Sequence, residues 1–252
     1  MRRFLIDASC VTEGRIIVRD TRELHHMKHA LRLKEGAEVL LSDGSGKEYF
    51  SRLVRYDDAA AVFETLYERA ATADPETKIT LFQCLPKQGK MEQIIQKATE
   101  LGVFRVIPVL SERSVPRPQN MDARVSRWRR IAEEASKQSG RGRVPEVADG
   151  IGIAEAPAAA GGGILLFPYE GERKTSIKNV LRSLDKDAQA EIALIIGPEG
   201  GFSEREAAAL IQAGARACSL GRTVLRTETA GPAAIAMIVY ELELDRARPE
   251  TE

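Results

Sequence analysis

Residues 192–210 read IALIIGPEGGFSEREAAAL: an apolar run, a short turn crowded with glycine, and at once a helical pattern. A strand passing directly into a helix is the repeating unit of parallel α/β sheets. In such sheets ligands sit beyond the carboxyl ends of the strands, where Gly197-Pro198-Glu199-Gly200-Gly201 falls. Glycine there permits positive φ and close approach of a ligand to the main chain. Pro198 stiffens the turn, and Ser203 with Glu206 has the S-x-x-E spacing of a capping box. The turn is not Gly-x-Gly-x-x-Gly and lacks the Lys-Ser/Thr of a phosphate-binding loop, which argues against dinucleotide and nucleoside triphosphate sites. By itself it reads better as a plain connection from strand to helix than as a ligand site.

The same alternation extends back to residue 78. ITLFQCL, VFRVIPVL and GGGILLFPYE read as strands. MEQIIQKATELG reads as a helix stopped by Gly102. MDARVSRWRRIAEEASKQSG reads as a long amphipathic helix with Val125, Trp128, Ile131 and Ala135 as its apolar stripe. SERSVPRPQN reads as a loop, and TAGPAAIAMIVYELELD as a helix of small residues suited to a dimer interface or to tight packing on the sheet. The first 70 residues differ. They are rich in short strand-like runs, with a turn at Asp43-Gly44-Ser45-Gly46 and one helix, TRELHHMKHALRL, carrying Leu24, Met27 and Leu31 at helical spacing and Thr21 as its N-cap. ERAATADPETK reads as a linker. The expectation is a small barrel with an inserted helix over residues 1–72 and an α/β domain over 73–252.

No apolar run approaches the roughly 20 residues that cross a bilayer, and the polar start is unlike a signal peptide. Three separated cysteines, Cys10, Cys84 and Cys218, argue against a disulfide framework. A soluble cytoplasmic protein is expected. Basic and acidic residues balance at 37 each, yet residues 112–143 hold nine basic against four acidic. That excess suits either phosphate or a solvated helix face. His25 and His29 stand one helical turn apart, but no third ligand completes a metal set.

A second loop raises the interest of the first. Residues 219–231, SLGRTVLRTETAG, place Arg226, Thr227, Glu228 and Thr229 just before the last apolar helix. Capping accounts for either threonine. It does not account for Arg226, since a cation gains nothing at a helix N-terminus; an anionic partner or transition state does.

With RRFLID, HHMKHALRLKEG, KQGKMEQIIQKATELGV, PVLSERSV, RWRRIAEEASKQSGR, VPEV, IIGPEGGFSEREA and LGRTVLRTETAGPAA, the chain resembles the bacterial ribosomal RNA small subunit methyltransferase E family. GPEGG followed by LG-x-x-x-LR-x-ETA is the specific pair. The resemblance implies a PUA-like RNA-binding barrel, a SPOUT domain with a trefoil knot, S-adenosyl-L-methionine as methyl donor, N3 of a uridine in 16S rRNA as target, and a homodimer. Carried over, the donor is held by Phe167, Pro168, Tyr169 and Glu170, by Gly197, Pro198, Glu199, Gly200 and Gly201, and by Leu220, Gly221, Leu225, Arg226 and Thr227. Arg226 is the candidate to stabilise the uracil anion, Glu199 or Glu228 to take its proton, and Arg113 to assist catalysis or bind phosphate. Candidate RNA contacts are Arg2, Arg3, His25, His26, Arg32, Arg113, Arg129, Lys137 and Arg141. Neither membrane, DNA nor metal is expected. Rival expectations are ribose 2′-O-methylation of rRNA or tRNA, and a non-catalytic ribosome-assembly RNA binder.

Overall fold

The computed structural model describes residues 1–87, 89–114, 120–184 and 191–243. Residues 115–119 of the SERSVPRPQN loop, Arg117 among them, lie outside the described residues. The chain forms two compact units, Met1–Asp74 with Ser136–Val144, and Pro75–Ala135 with Pro145–Glu252. The excursion Ser136–Val144 joins the first unit through named bonds. Ser42 Oγ donates to Gly142 O at 2.9 Å, and Asp74 accepts from Arg141 Nε at 2.7 Å and from Gly142 N at 3.0 Å.

The first unit contains β1 (Arg2–Leu5), β2 (Val11–Thr12), β3 (Arg15–Val18), α1 (Thr21–His25), β4 (Glu38–Ser42), β5 (Lys47–Asp57) and β6 (Ala60–Ala70). Its sheet runs β1-β4-β5-β6-β3-β2, antiparallel except for the β1–β4 pair. Phe4, Ile16, Met27, Leu41, Leu53 and Phe63 form its core. The turn between β4 and β5 lies where the glycines put it. Asp43 Oδ1 accepts from Ser45 N at 2.9 Å and Ser45 Oγ at 2.7 Å, and Gly44 and Gly46 take φ of 74° and 105°. The N-cap of α1 is Asp20, not Thr21: its carboxylate accepts from both Arg22 N and Glu23 N at 2.9 Å, and Thr21 is already helical. The helix widens into a π-type turn over His26–Ala30.

The second unit contains β7 (Lys78–Cys84), α2 (Lys90–Glu100), β8 (Arg105–Leu110), α3 (Met121–Ser139), β9 (Glu146–Val147), β10 (Ile151–Gly152), α4 (Ala156–Ala159), β11 (Ile164–Pro168), α5 (Ile177–Arg182), β12 (Glu191–Ile196), α6 (Glu204–Gln212), β13 (Arg216–Cys218) and α7 (Thr227–Glu243). The sheet runs β10-β8-β7-β12-β11-β13, all parallel, with β9 also paired to β8. Alternate residues feed opposite faces. Phe82, Cys84, Leu165, Phe167, Ala193 and Ile195 share one core with Phe202 and Leu210. Their neighbours Leu81, Leu166 and Leu194 are equally buried, so both faces are covered, as unbroken apolar runs require.

Gly102, at φ 97°, ends α2 as expected. The buried stripe of α3 is Val125, Trp128, Ala132 and Ala135; Ile131 is only half-buried, one position off the inward face. Trp128 is thus part of the core. Helix α7 starts two residues before Thr229 and lies on the sheet. A Cβ on Gly231 would stand 3.4 Å from Gln83 Oε1 and 3.7 Å from the Leu81 methyls, so the small residues serve close packing there. Among the described residues no helix is long and apolar enough to cross a membrane.

Candidate functional site

All strands of the parallel sheet point the same way, so their carboxyl ends gather at one edge. The loops after β11, β12 and β13, with the start of α2, enclose a cavity of about 1050 Å³ there. The β11 loop contributes Pro168, Tyr169 and Glu170; the β12 loop contributes Gly197, Pro198, Glu199 and Gly201; the β13 loop contributes Leu220, Gly221, Leu225, Arg226 and Thr227. Two residues carried over as donor contacts lie elsewhere. Phe167 is fully buried, its ring stacked on Tyr169 at 5.2 Å and edge-on to Phe202 at 4.9 Å. Gly200 lies outside the cavity lining and packs on the Arg113 side chain.

Four side chains shape the glycine turn. Thr227, the first residue of α7, sends its hydroxyl to Gly197 O at 2.7 Å and accepts from Gln83 Nε2 at 2.9 Å. Its hydroxyl therefore joins two loops and the end of β7, where capping of α7 was one expectation. Arg113 Nη1 donates to Gly200 O at 2.9 Å and Phe202 O at 3.2 Å. Ser203 and Glu206 form the full capping box, and the spare oxygen of Glu206 accepts from Glu112 N at 2.7 Å. Of the glycines, only Gly201 needs a left-handed φ (64°); Gly197 is small because a Cβ would meet the Phe202 ring at 2.9 Å.

Lys90 was not anticipated. Its Nζ stands 3.0 Å from Glu199 Oε1 and 3.2 Å from Glu228 Oε2, bridging the β12 loop to the first turn of α7. Both oxygens of Glu199 also accept from Lys87 N, at 3.1 and 3.2 Å. Burial pushes the Glu199 pKa up, but hydrogen bonds from its own backbone N–H, Lys90 and Lys87 outweigh it and hold the carboxyl below its usual range. The Glu228 carboxyl is lowered by its own backbone N–H, against some desolvation, with further help from Lys90 and Arg226. The Lys90 pKa is raised in turn, first by Glu199 and then by Glu228. The Cys218 thiol, at the cavity floor, is pushed up to about 12 by burial and is inert.

Residues 73–239 match the model of an RNA methyltransferase domain, and residues 18–58 that of an RNA methyltransferase PUA domain. The ribosomal RNA small subunit methyltransferase E of Bacillus subtilis is 31% identical over 231 residues, 89% of this chain and 90% of the relative. That of Mycobacterium tuberculosis is 31% identical, spanning 89% and 86%. The chain belongs to the ribosomal RNA small subunit methyltransferase E family. A crystal structure of a family E enzyme from Neisseria gonorrhoeae, bound to S-adenosyl methionine, superposes with a TM-score of 0.81 at 32% identity, covering 95% of this chain and 97% of that one.

In this family member most of the basic residues singled out from sequence are engaged within the protein. Arg129 donates to Val147 O at 2.9 Å and pairs with Asp149; Arg113 braces the glycine turn. In the first unit Arg2 donates to Leu31 O, Arg3 pairs with buried Glu48 at 2.7 Å, Lys137 pairs with Glu23 at 2.8 Å, and Arg141 is buried against Asp74. His26 is exposed beside Phe4, and His25 stands 4.8 Å from His29. Arg32 is exposed with a left-handed φ of 48°. No group of three or more potential metal ligands occurs among the described residues. Lys90 and Gln83 were legible only through the rule that ligand-side residues follow the strand ends. Both stand at or just beyond the end of β7.

Proposed function

We propose that this chain transfers a methyl group from S-adenosylmethionine to N3 of a uridine in the 16S rRNA of the small ribosomal subunit. The observation that carries the reading is one cavity walled by the 197–201 and 219–227 loops and tied across by the Thr227 hydroxyl. A cavity of about 1050 Å³ accommodates a nucleoside donor together with an incoming base. Its walls suit that donor. Ile196, Leu220, Leu225 and Ala230 supply apolar surface for adenine, while Gly197, Gly201 and Gly221, without side chains, let the donor approach the main chain closely. Glu170 and Glu199 suit its positive charge. The proposal includes a PUA-like RNA-binding barrel in the first unit, a SPOUT trefoil knot in the second, and a cytoplasmic homodimer.

When bound, the donor supplies an electrophilic methyl on a cationic sulfur that leaves as a neutral thioether. The chain's residues prepare the acceptor. Holding it in line with the methyl removes most of the entropic barrier. Uracil N3 must lose its proton, and the resulting negative charge spreads to O2 and O4. Arg226, exposed at the cavity wall, stays protonated and stabilises that charge. Glu199 or Glu228 is the proton acceptor at hand; Lys90 pairs with both and holds them in place.

The test is to incubate 30S subunits with labelled donor, digest the rRNA, and identify the nucleoside by mass spectrometry. N3-methyluridine is expected. Label on ribose would replace the reading with 2′-O-methylation, and failure of calorimetry to detect donor binding at millimolar concentration would favour an RNA-binding assembly protein.

A further inference from the structure

The charge that the sequence concentrates in residues 113–143 is largely taken up by internal partners. Arg113, Arg127, Arg129, Lys137 and Arg141 each have a named acceptor within the protein. The cavity mouth is different. Arg173, Lys174 and Arg222 line it, are exposed, and have no ion pair with another described residue. The nearby Glu172 carboxylate is already occupied, accepting from Lys174 N at 2.6 Å and Thr175 N at 2.8 Å. Five cationic side chains line the cavity against three carboxylates, although the whole chain is neutral. A sulfonium donor carries two positive groups against one carboxylate, so it can use at most one of those cations. Between Arg222 and Arg226 stands Val224, 79% exposed, an apolar side chain held out on a charged loop.

We infer that this rim grips the sugar–phosphate backbone beside the target nucleotide. Arg173, Lys174 and Arg222 bind phosphates, and Val224 offers an apolar rest for an adjoining base. The inference rests on the methyl-transfer reading above for the identity of the RNA, and names where on the second unit that RNA lies. Phosphate contacts of this kind position a strand without reading its sequence. Base stacking and apolar contacts suit unpaired nucleotides.

The experiment uses the full chain with Arg173→Ala, Lys174→Ala, Arg222→Ala and the triple variant. Binding to intact 30S subunits is measured by co-sedimentation across a salt series, and donor affinity by calorimetry. Each lost phosphate contact on a single strand lowers the log–log salt slope by about 0.7, which corresponds to roughly fourfold weaker binding at 0.15 M salt. The expected result is that loss for each single variant, a larger one for the triple, and a donor dissociation constant within twofold of wild type. Weakened donor binding with unchanged 30S affinity would overturn the inference, assigning the rim to the donor carboxylate. A change of oligomeric state with unchanged 30S affinity would also overturn it, assigning the rim to a second copy of the chain. Wild-type protein that binds 30S with a salt slope the variants lose, yet transfers no methyl, would support the rim and sink the methyl-transfer reading.

Discussion

Thr227→Val isolates the bond on which the cavity depends. Valine has nearly the shape of threonine, so no cavity opens and no side chain is displaced. Two hydrogen bonds disappear: Thr227 Oγ1 to Gly197 O at 2.7 Å, and Gln83 Nε2 to Thr227 Oγ1 at 2.9 Å. Gly197 is only half-buried, so its carbonyl recovers water; that loss is near 1 kcal/mol. The second N–H of Gln83, fully buried, is left without an acceptor while the first keeps Cys84 O at 3.0 Å, which costs about 1–3 kcal/mol. The sum, about 2–4 kcal/mol, is a melting shift of roughly 4–16 °C for a chain of this size. Urea unfolding checks it: the midpoint should fall with the slope unchanged. Donor affinity, read by calorimetry, should fall about tenfold, since an untethered glycine turn must be ordered on binding at a cost near 1.4 kcal/mol. Thr227→Ser keeps the hydroxyl and should keep the affinity. A valine variant with wild-type affinity, or a serine variant as weak as valine, would refute the tether.

Arg226→Ala should abolish methylation while leaving most donor binding intact, checked by label transfer alongside calorimetry; full turnover would remove Arg226 from the chemistry. Gly142→Ala places a Cβ 2.1 Å from that of Ala71 and should destabilise the first unit by about 1–3 kcal/mol or more, read from its urea midpoint. Lys90→Met removes the cation that helps hold Glu199 and Glu228 below the ordinary carboxylate value of 4.5. A lowered folded-state pKa gives stabilisation that is complete above that value and lost as pH falls through the lowered one. Donor affinity of the wild type should therefore persist to a lower pH than that of the variant, and coincident profiles would count against the clamp. Of the three cysteines only Cys10 is not fully buried, and burial pushes Cys84 and Cys218 up to about 12, so the native protein should react with a thiol reagent at one site near pH 8 and at three when unfolded.

How much of this was legible in the sequence depended on how local each cause is. The strand runs, the turn at Asp43, the stop at Gly102 and the capping box at Ser203 each depend on neighbours a few residues away, and pattern alone exposed them. Thr21 lost the cap of α1 to Asp20 because a carboxylate one residue earlier satisfies two N–H groups at once. The stripe of α3 slipped from Ile131 to Ala132 because the helical repeat puts 132, not 131, on the inward face with Val125, Trp128 and Ala135. Gly197 was expected to be glycine for a ligand's sake; the nearer reason is the ring of Phe202, which arrives from five residues on.

The functional side chains were legible by type, and their folded partners were not. Arginines in the 113–143 segment looked available for RNA because the sequence shows an excess of positive charge but not where the acceptors fold to. Asp74 lies 67 residues from Arg141, and Gly200 O lies 87 residues from Arg113. Once those acceptors arrive, the guanidinium groups lose their freedom and become braces. The same reasoning runs in reverse for Lys90. Nothing in KQGKMEQ marks that lysine over its neighbours, yet Glu199 and Glu228, 109 and 138 residues further on, each form an ion pair with it. Charge that stays unpaired after folding is the physical basis for the proposed RNA site at the cavity mouth, beside Arg173, Lys174 and Arg222.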